Sequence, residues 1–553
     1  MNISFNLIDE CWIPCLRKDG TRDELSLRDT LAQAHQLREI CGDTPLETAA
    51  LHRLLLAVLH RVFGPKERAD WVALWERRGL GFDMQRLENY LLRTDIYPRF
   101  DLFHHQRPFF QSLDPRVKDK SVISMVLQMA SGNNATLFDH HTEQVGVALT
   151  PAQAARALIT SQAFGIGGLS GLPDKFTDAP CAKGIVFFAT GESAFETLVL
   201  NLVRYNEDEP IPSPNADDCP AWEMEDPFLP ARNYPRGYLD YLTWHNRRIW
   251  LYPEVSDQGI IIRRMRWAPG LRLESENIDP LKQYIIDEQE GWRVLCFQPD
   301  RALWRDSAVL LRLSDRNKPP KIVAWLADLA RRAPTVLEVT QQYRLMALGL
   351  AKDRASLDFM RAESLPLPIE YLANDTHVSH LSTALELAEK TGKLLNRCAF
   401  WLAWLIIEAT AKDSQMGEIS DVENELPIDT RMKTGRLAVK EGKKVKDTEA
   451  PKLYRLFESF GVERLYWSQL EVHFYRLIQD LPGDPEAAKD KWRGHLKRVA
   501  RAAFNQAIAY AGTDYRAQRA IVKADEQFQS GLARLLDVRQ PNSTNGGETH
   551  GTR

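Results

Sequence analysis

Near Asn374 the residue pattern of this chain changes its period, and that break constrains the fold more than any single motif. Beyond it glycines are few, and apolar residues recur every three or four positions. This periodicity predicts four helices, at about 376–413, 450–481, 484–511 and 514–537. Asp484-Pro485 opens the third, on which Trp492, Leu496, Val499 and Ala503 form one stripe. Short loops between long amphipathic helices imply an antiparallel four-helix bundle over 375–538. A polar linker at 416–450 carries Arg431, Lys433, Arg436, Lys440, Lys443, Lys444 and Lys446, and the tail 539–553 is expected to be disordered.

Before the break, strand-like and helical signals alternate. FNLID, WIPCL, KGIVFFATG, DYLTWHNRRIWLYPE and GIIIRRMRW read as strands from their β-branched and aromatic content. Arg247, Arg248, Arg263, Arg264 and Arg266 are expected to leave one face or edge of that sheet basic. Thr44-Pro45-Leu46-Glu47 has the form of a capping-box start and opens a helix apolar on most sides. A second start, Thr150-Pro151, opens a helix that runs into glycines. The expected fold class is therefore α+β: a large mixed α/β domain over 1–374, then the bundle.

Its 553 residues allow two or more domains. A formal charge of -4 carries no global basic signal, so any nucleic acid must be met through local patches or within a larger assembly. Seven scattered cysteines make no disulfide framework or zinc ribbon, and ECWIPC reads as a strand interrupted by Pro14. MNISFNLIDE lacks the form of a secretory signal, and CAFWLAWLII (Cys398 to Ile407) is too short to span a bilayer. These features predict a reducing, cytoplasmic setting without a membrane.

Two stretches invite a chemical reading. Asp139-His140-His141 offers one carboxylate and two imidazoles, the ligands of a metal-dependent phosphoesterase. That enzyme class also needs an upstream Asp-x-Asp, whereas Asp101, Asp114 and Asp119 each stand alone. AFGIGGLSGLP (Ala163 to Pro173) resembles a phosphate-cradling loop, but a helix precedes its glycines where a strand should. The glycines Gly165, Gly167, Gly168 and Gly171 then either permit a helix C-cap with positive φ or let backbone approach a ligand closely. No His-Glu-x-x-His and no Gly-x-Ser-x-Gly is present. A binding module without cofactor or metal is favoured over an enzyme; the phosphoesterase and a purely architectural helical partner are the alternatives. His473 lies beside the apolar positions Leu470, Phe474 and Leu477 and reads as a packed histidine.

Several segments together resemble the CasA family, the large subunit of the type I-E CRISPR Cascade complex. They are FNLIDECWIPCLRKDG, RPFFQ, SGNNATLFDHH, AFGIGGLSGLP, PCAKGIVFFATGESAFETLVLNL, LTWHNRRIWL, ALWRDSAVLL and VHFYRLIQDL, in family order from residue 1 to about 535. The resemblance implies a mixed α/β domain joined to a four-helix bundle, and a role without catalysis. In that role the subunit reads a protospacer-adjacent motif on double-stranded DNA, helps open the duplex for guide pairing and recruits a helicase-nuclease. It implies motif reading from the minor groove by Gly165, Gly167 and Gly168, with Arg264 or Arg266 as a basic finger. GLAKDRASLDF is similar to the family's wedge hairpin, with Asp353 and Arg354 at its tip where the family has Gln. SGNNATLFDHH is similar to the loop that docks on the 5′ handle of the CRISPR guide RNA and a neighbouring Cascade subunit, which implies Phe138 as aromatic anchor with Asp139 and His140 beside it. Lys489, Lys491, Arg493, Lys497, Arg498 and Arg501 match bundle positions that guide the displaced strand. Where some members have a cysteine cluster for zinc, this chain has VSDQGIII, so no metal is expected.

Overall fold

The computed structural model describes residues 3–127, 147–204, 217–257, 259–274, 278–287, 291–312, 317–338, 341–353, 356–408 and 450–537. The chain divides into two compact units, Met1–Asp375 and Thr376–Arg553. Helices and sheets are mixed in the first, and the second is helical among the described residues. No described helix is long and apolar enough to cross a membrane.

The first unit is built around the helix Pro45–Phe63, which buries 16 of its 19 residues. Pro45 occupies the first turn, where a missing N–H costs nothing, and Thr44 Oγ1 accepts from Glu47 N at 3.1 Å. The Glu47 carboxylate itself turns to the buried Arg156, whose Nε lies 2.6 Å away, so Glu47 serves a second helix as well as its own. Burial raises the Glu47 pKa, and Arg156 opposes that shift. Arg156 belongs to the helix Pro151–Phe164 and also donates to the Trp12 carbonyl at 3.0 Å, which ties that helix to the amino-terminal segment.

Among the described residues there are four three-stranded sheets, with antiparallel pairing throughout. Two of them frame the candidate site. In one, Arg344–Asp353 runs between Val186–Thr190 and Ser356–Pro366. In the other, Gly259–Pro269 runs between Arg247–Ser256 and the short Lys120–Ser121. The expected strand DYLTWHNRRIWLYPE begins only at Arg247, because Tyr238–Leu242 is a helical turn. The Asp218 carboxylate accepts from the N–H groups of Leu239 and Asp240 at 3.0 and 2.9 Å, satisfying a helix start that aromatic content alone does not reveal.

In the second unit the described helices are Asp375–Glu408, which begins one residue before it, Ala450–Phe460, Val462–Asp480, Pro485–Tyr510 and Tyr515–Leu536. The helix expected over 450–481 is broken at Gly461, whose φ of +58° suits glycine, and the freed Phe460 carbonyl accepts from Gln506 Nε2 at 2.8 Å. Trp492, Leu496, Val499 and Ala503 are buried, and Trp492 Nε1 donates to the Ala384 carbonyl at 2.9 Å. His473 stacks on His495 with centroids 3.7 Å apart.

Three histidines of the first unit, His52, His60 and His245, are buried, which holds them neutral. Burial lowers the pKa of His60 to about 3 and that of His245 to about 4. The unfolded chain protonates such groups near about pH 6.5 while the native chain does not, so stability is full above that pH and falls as pH drops toward 4. His60 and His245 should each contribute a slope of up to about 1.4 kcal/mol per pH unit in this window. Neither ring nitrogen of His60 has a hydrogen-bond partner among the described residues. Urea unfolding of the His60→Phe chain should therefore lose close to one proton's worth of that slope between pH 6 and 4.5; an unchanged slope would contradict burial of the neutral ring.

Candidate nucleic-acid interface

The helix Pro151–Phe164 starts with reciprocal bonds between Thr150 and Gln153, at 3.2 and 3.0 Å, and ends where Gly165 N donates to Ser161 O at 3.0 Å. Gly165 has φ of -54°, so it is not there for a left-handed turn. A Cβ at this position would lie 2.7 Å from Ser161 O and 2.9 Å from Arg247 Nη2. At Gly167 it would lie 3.1 Å from Phe176 O and 3.2 Å from Asp178 Oδ1. Both glycines admit the chain's own groups to close range. Of the four glycines in this stretch only Gly171 has positive φ, at +76°. Gly168 and Phe176 exchange both backbone hydrogen bonds, at 3.1 and 3.0 Å, and close the loop into a narrow pair beyond which Leu169 is 87% exposed.

Arg247 holds this loop from beneath. Its Nη2 donates to Ile166 O at 3.0 Å and its Nη1 to Thr177 O at 2.9 Å, so one guanidinium grips both limbs. Its Cζ sits 4.9 Å from the centroid of the Phe176 ring. Its backbone N–H and carbonyl are both taken by the Gln162 side chain at 2.9 Å. Arg247 is thus not part of a basic face: it is 1% exposed, because unpaired loop carbonyls inside the fold need its donors. Burial lowers its pKa to about 9, which leaves it a cation at neutral pH. Arg248 likewise turns inward, with its Cζ 3.7 Å from the Phe228 ring centroid.

Asp178 follows on the returning limb. Its Oδ1 accepts from Gly167 N at 2.8 Å, and its Oδ2 accepts from Lys352 Nζ at 2.5 Å. Lys352 stands on the hairpin of Arg344–Asp353 and Ser356–Pro366, and the loop is thereby brought against that hairpin.

Residues 6–503 match the family described as CRISPR-associated protein Cse1. The chain belongs to that family. It is 33% identical over 543 residues to the CRISPR-associated protein CasA/Cse1 of Thermus thermophilus, an alignment covering 96% of this chain and 98% of the relative. A crystal structure of CasA from Thermus thermophilus superposes with a TM-score of 0.77 at 29% identity, over 96% of this chain and 100% of that one. Cse1 from Acidimicrobium ferrooxidans shares the fold, with a TM-score of 0.76 at 23% identity over 97% of this chain and 99% of that one.

On this Cse1-family chain, Arg264 and Arg266 share one face of the strand Gly259–Pro269. Arg266 Nε donates to Asp119 Oδ1 at 3.0 Å, while Arg264 contacts Asp119 at 3.4 Å and Glu254 at 3.5 Å. The hydrogen bond to Asp119 raises the pKa of Arg266. Trp267 of the same strand, on the face opposite these two arginines, meets Phe176 of the loop's returning limb edge-on at 6.2 Å between centroids. The glycine loop therefore adjoins both the arginine-bearing strand and the hairpin. Arg354 lies outside the described residues; Asp353 is described only in its backbone, which pairs with Ser356. Phe138, Asp139, His140 and His141 also lie outside them, as does most of the basic linker. Among the described residues no group of three or more His, Cys, Asp or Glu could hold a metal.

Five of the six cations on Pro485–Tyr510 are paired with acids. Lys489 meets Glu486 at 2.9 Å, Lys491 meets Asp480 at 3.2 Å, Arg493 meets Asp490 at 2.5 Å, Lys497 meets Asp537 at 3.0 Å and Arg501 meets Asp525 at 3.2 Å. Arg498 instead lies 2.7 Å from His495 Nδ1. Sequence reasoning missed Asp178, Lys352 and Asp119. The only local signal for Asp178 is an acid following the glycines on a polar return, in KFTDAP.

Gly165→Ala should destabilise the chain by about 1–3 kcal/mol, since neither Ser161 O nor the buried Arg247 can give way cheaply. Denaturant unfolding checks this, and a loss below a few tenths of that size would contradict the close packing.

Proposed function

We propose that this chain is the non-catalytic, DNA-reading large subunit of an RNA-guided CRISPR surveillance complex of the Cascade type. Family membership supports the assembly, and a chain of a structure titled "CRISPR RNA-guided surveillance complex" has the same fold, with a TM-score of 0.71. The observation that carries the reading is the narrow glycine loop beside an arginine-bearing strand. Its inner glycines are closed off by Arg247 and Asp178, and Gly168 is partly exposed where it pairs with Phe176. Backbone unshielded by a side chain can approach the floor of a minor groove, where the guanine amino group is the main distinguishing feature. Gly168, with Gly167 behind it, is the motif reader in this proposal, and Gly165 shapes the loop from inside.

Arg264 and Arg266 act on backbone phosphate or the groove edge by exchanging Asp119 for a phosphate oxygen. The hairpin tip, Asp353 and Arg354, parts the first base step. An Arg can stack on a base or bind phosphate, so it can hold the opened strand as well as wedge it. Lys489, Lys491, Arg493, Lys497, Arg498 and Arg501 steer the displaced strand through salt-dependent contacts. Phe138, Asp139 and His140 dock on the 5′ handle of the guide RNA and on neighbouring Cascade subunits. A helicase-nuclease is recruited to cut, and this chain supplies no catalytic group.

Gly168→Trp should abolish motif-dependent DNA binding by the assembled complex while leaving assembly intact. Electrophoretic shifts on motif-bearing and motif-less duplexes measure it. If the variant discriminated as the parent does, the glycine loop would not be the reader.

A further inference from the structure

We infer that Asp178 is a positioning residue that couples the glycine loop to the hairpin, so that seating of the loop in a groove and insertion of the hairpin tip become one movement. This rests on the motif-reading role proposed above and deepens it.

Among the described residues the two elements have no sheet pairing in common. The strand Arg344–Asp353 is paired on both sides only as far as Leu348, opposite Val186. From Gly349 onward it pairs with the Ser356–Pro366 strand alone, so the hairpin projects beyond its sheet. Arg361, opposite Gly349, braces the base of the projection by donating to the carbonyls of Gln298, Pro299 and Arg301. Lys352 stands farther out, just past the register irregularity at Ala351/Lys352 and one residue from where the described strand ends. Its bond to Asp178 ties the outer part of the hairpin to the loop.

Asp178 is itself firmly placed. The next residue, Ala179, donates to Gly165 O at 2.8 Å, and the preceding Thr177 carbonyl is held by Arg247. Its two oxygens are divided between the two elements, one for the Gly167 N–H and one for the Lys352 ammonium. The side chains of Lys352 and Asp178 are 21% and 37% exposed, so the pair is partly screened by water and is not built for stability. What it fixes is relative position: a displacement of Gly167 when the loop meets DNA is passed through one carboxylate to the residue behind the hairpin tip.

The substitutions separate the two arms. Asp178→Asn keeps an oxygen for Gly167 N–H and removes the charge that holds Lys352, and Lys352→Ala removes the same arm from the other side. The test uses the complete guide-loaded complex and two DNAs, a closed duplex bearing the motif and the same duplex with a mismatched bubble at the first base steps. Affinity for the bubbled DNA, with and without the motif, reads recognition. Fluorescence of 2-aminopurine at the first step of the closed duplex reads opening.

Each single variant should keep motif discrimination on bubbled DNA and lose about tenfold in opening of the closed duplex, and the double variant should be no worse than either. Opening at the parental level in either single variant overturns the coupling, as does an additive loss in the double variant. Loss of discrimination in Asp178→Asn with Lys352→Ala unaffected also overturns it, leaving Asp178 as a brace of the loop alone. Gly168→Trp run alongside isolates the underlying reading: if that variant still discriminates the motif, the reader assignment fails whatever the Asp178 variants do.

Discussion

The site depends on a single buried guanidinium. Arg247 is the first residue of its strand, and its side chain runs beneath the glycine loop to satisfy carbonyls on both limbs. Buried carbonyls without donors are costly, by about 1–3 kcal/mol each, so a loop of this shape could not close over an apolar side chain. The charge is tolerated because the guanidinium spreads its donors over several carbonyls and rests on the face of Phe176. Gly165 then has to be glycine, since Arg247 occupies the space that a Cβ would take. Shape, burial and glycine content are one constraint seen three ways.

A loop held this way is stiff within itself and has to be aimed. Phe176 meets Trp267 of the basic strand, and Asp178 meets Lys352 of the hairpin, so the loop is fixed against both neighbours by contacts from its returning limb. The outgoing limb, with Gly168 and Leu169, keeps a partly exposed side. Preorganisation of this kind lowers the ordering cost of binding, which matters where a groove contact offers few hydrogen bonds.

The signals legible in the sequence are those that act within a few residues. Thr44-Pro45 and Thr150-Pro151 begin helices where their cap chemistry says they should, and the Trp492 stripe faces inward as its spacing requires. The glycines are legible as a place of close approach, but not what approaches. The Arg247 bonds to Ile166 and Thr177 join residues 81 and 70 positions apart, and nothing in HNRR distinguishes the arginine that turns inward from its neighbours. Gly461 escapes notice because one glycine in a periodic helix is usually tolerated, and only its positive φ shows the break. The acids that pair the basic helix come partly from elsewhere in the unit, Asp525 and Asp537 among them, and are invisible to a count of charges along one segment.

Those pairs change how the positive charge should be understood. Where described arginines and lysines of the arginine-bearing strand and the basic helix sit on carboxylates, in a chain of net charge -4, they present little free positive field. Exposed ion pairs are worth about 1 kcal/mol or less, so a phosphate arriving in the right geometry can displace the carboxylate at small cost, whereas a poorly placed one gains almost nothing. Arg264 and Arg266 sharing Asp119 on the first unit, and Lys497 and Arg501 on the second, are all arranged in this way. Pairing thus works as a filter. It weakens attraction for a poorly placed anion and leaves the cations available to a well-placed one.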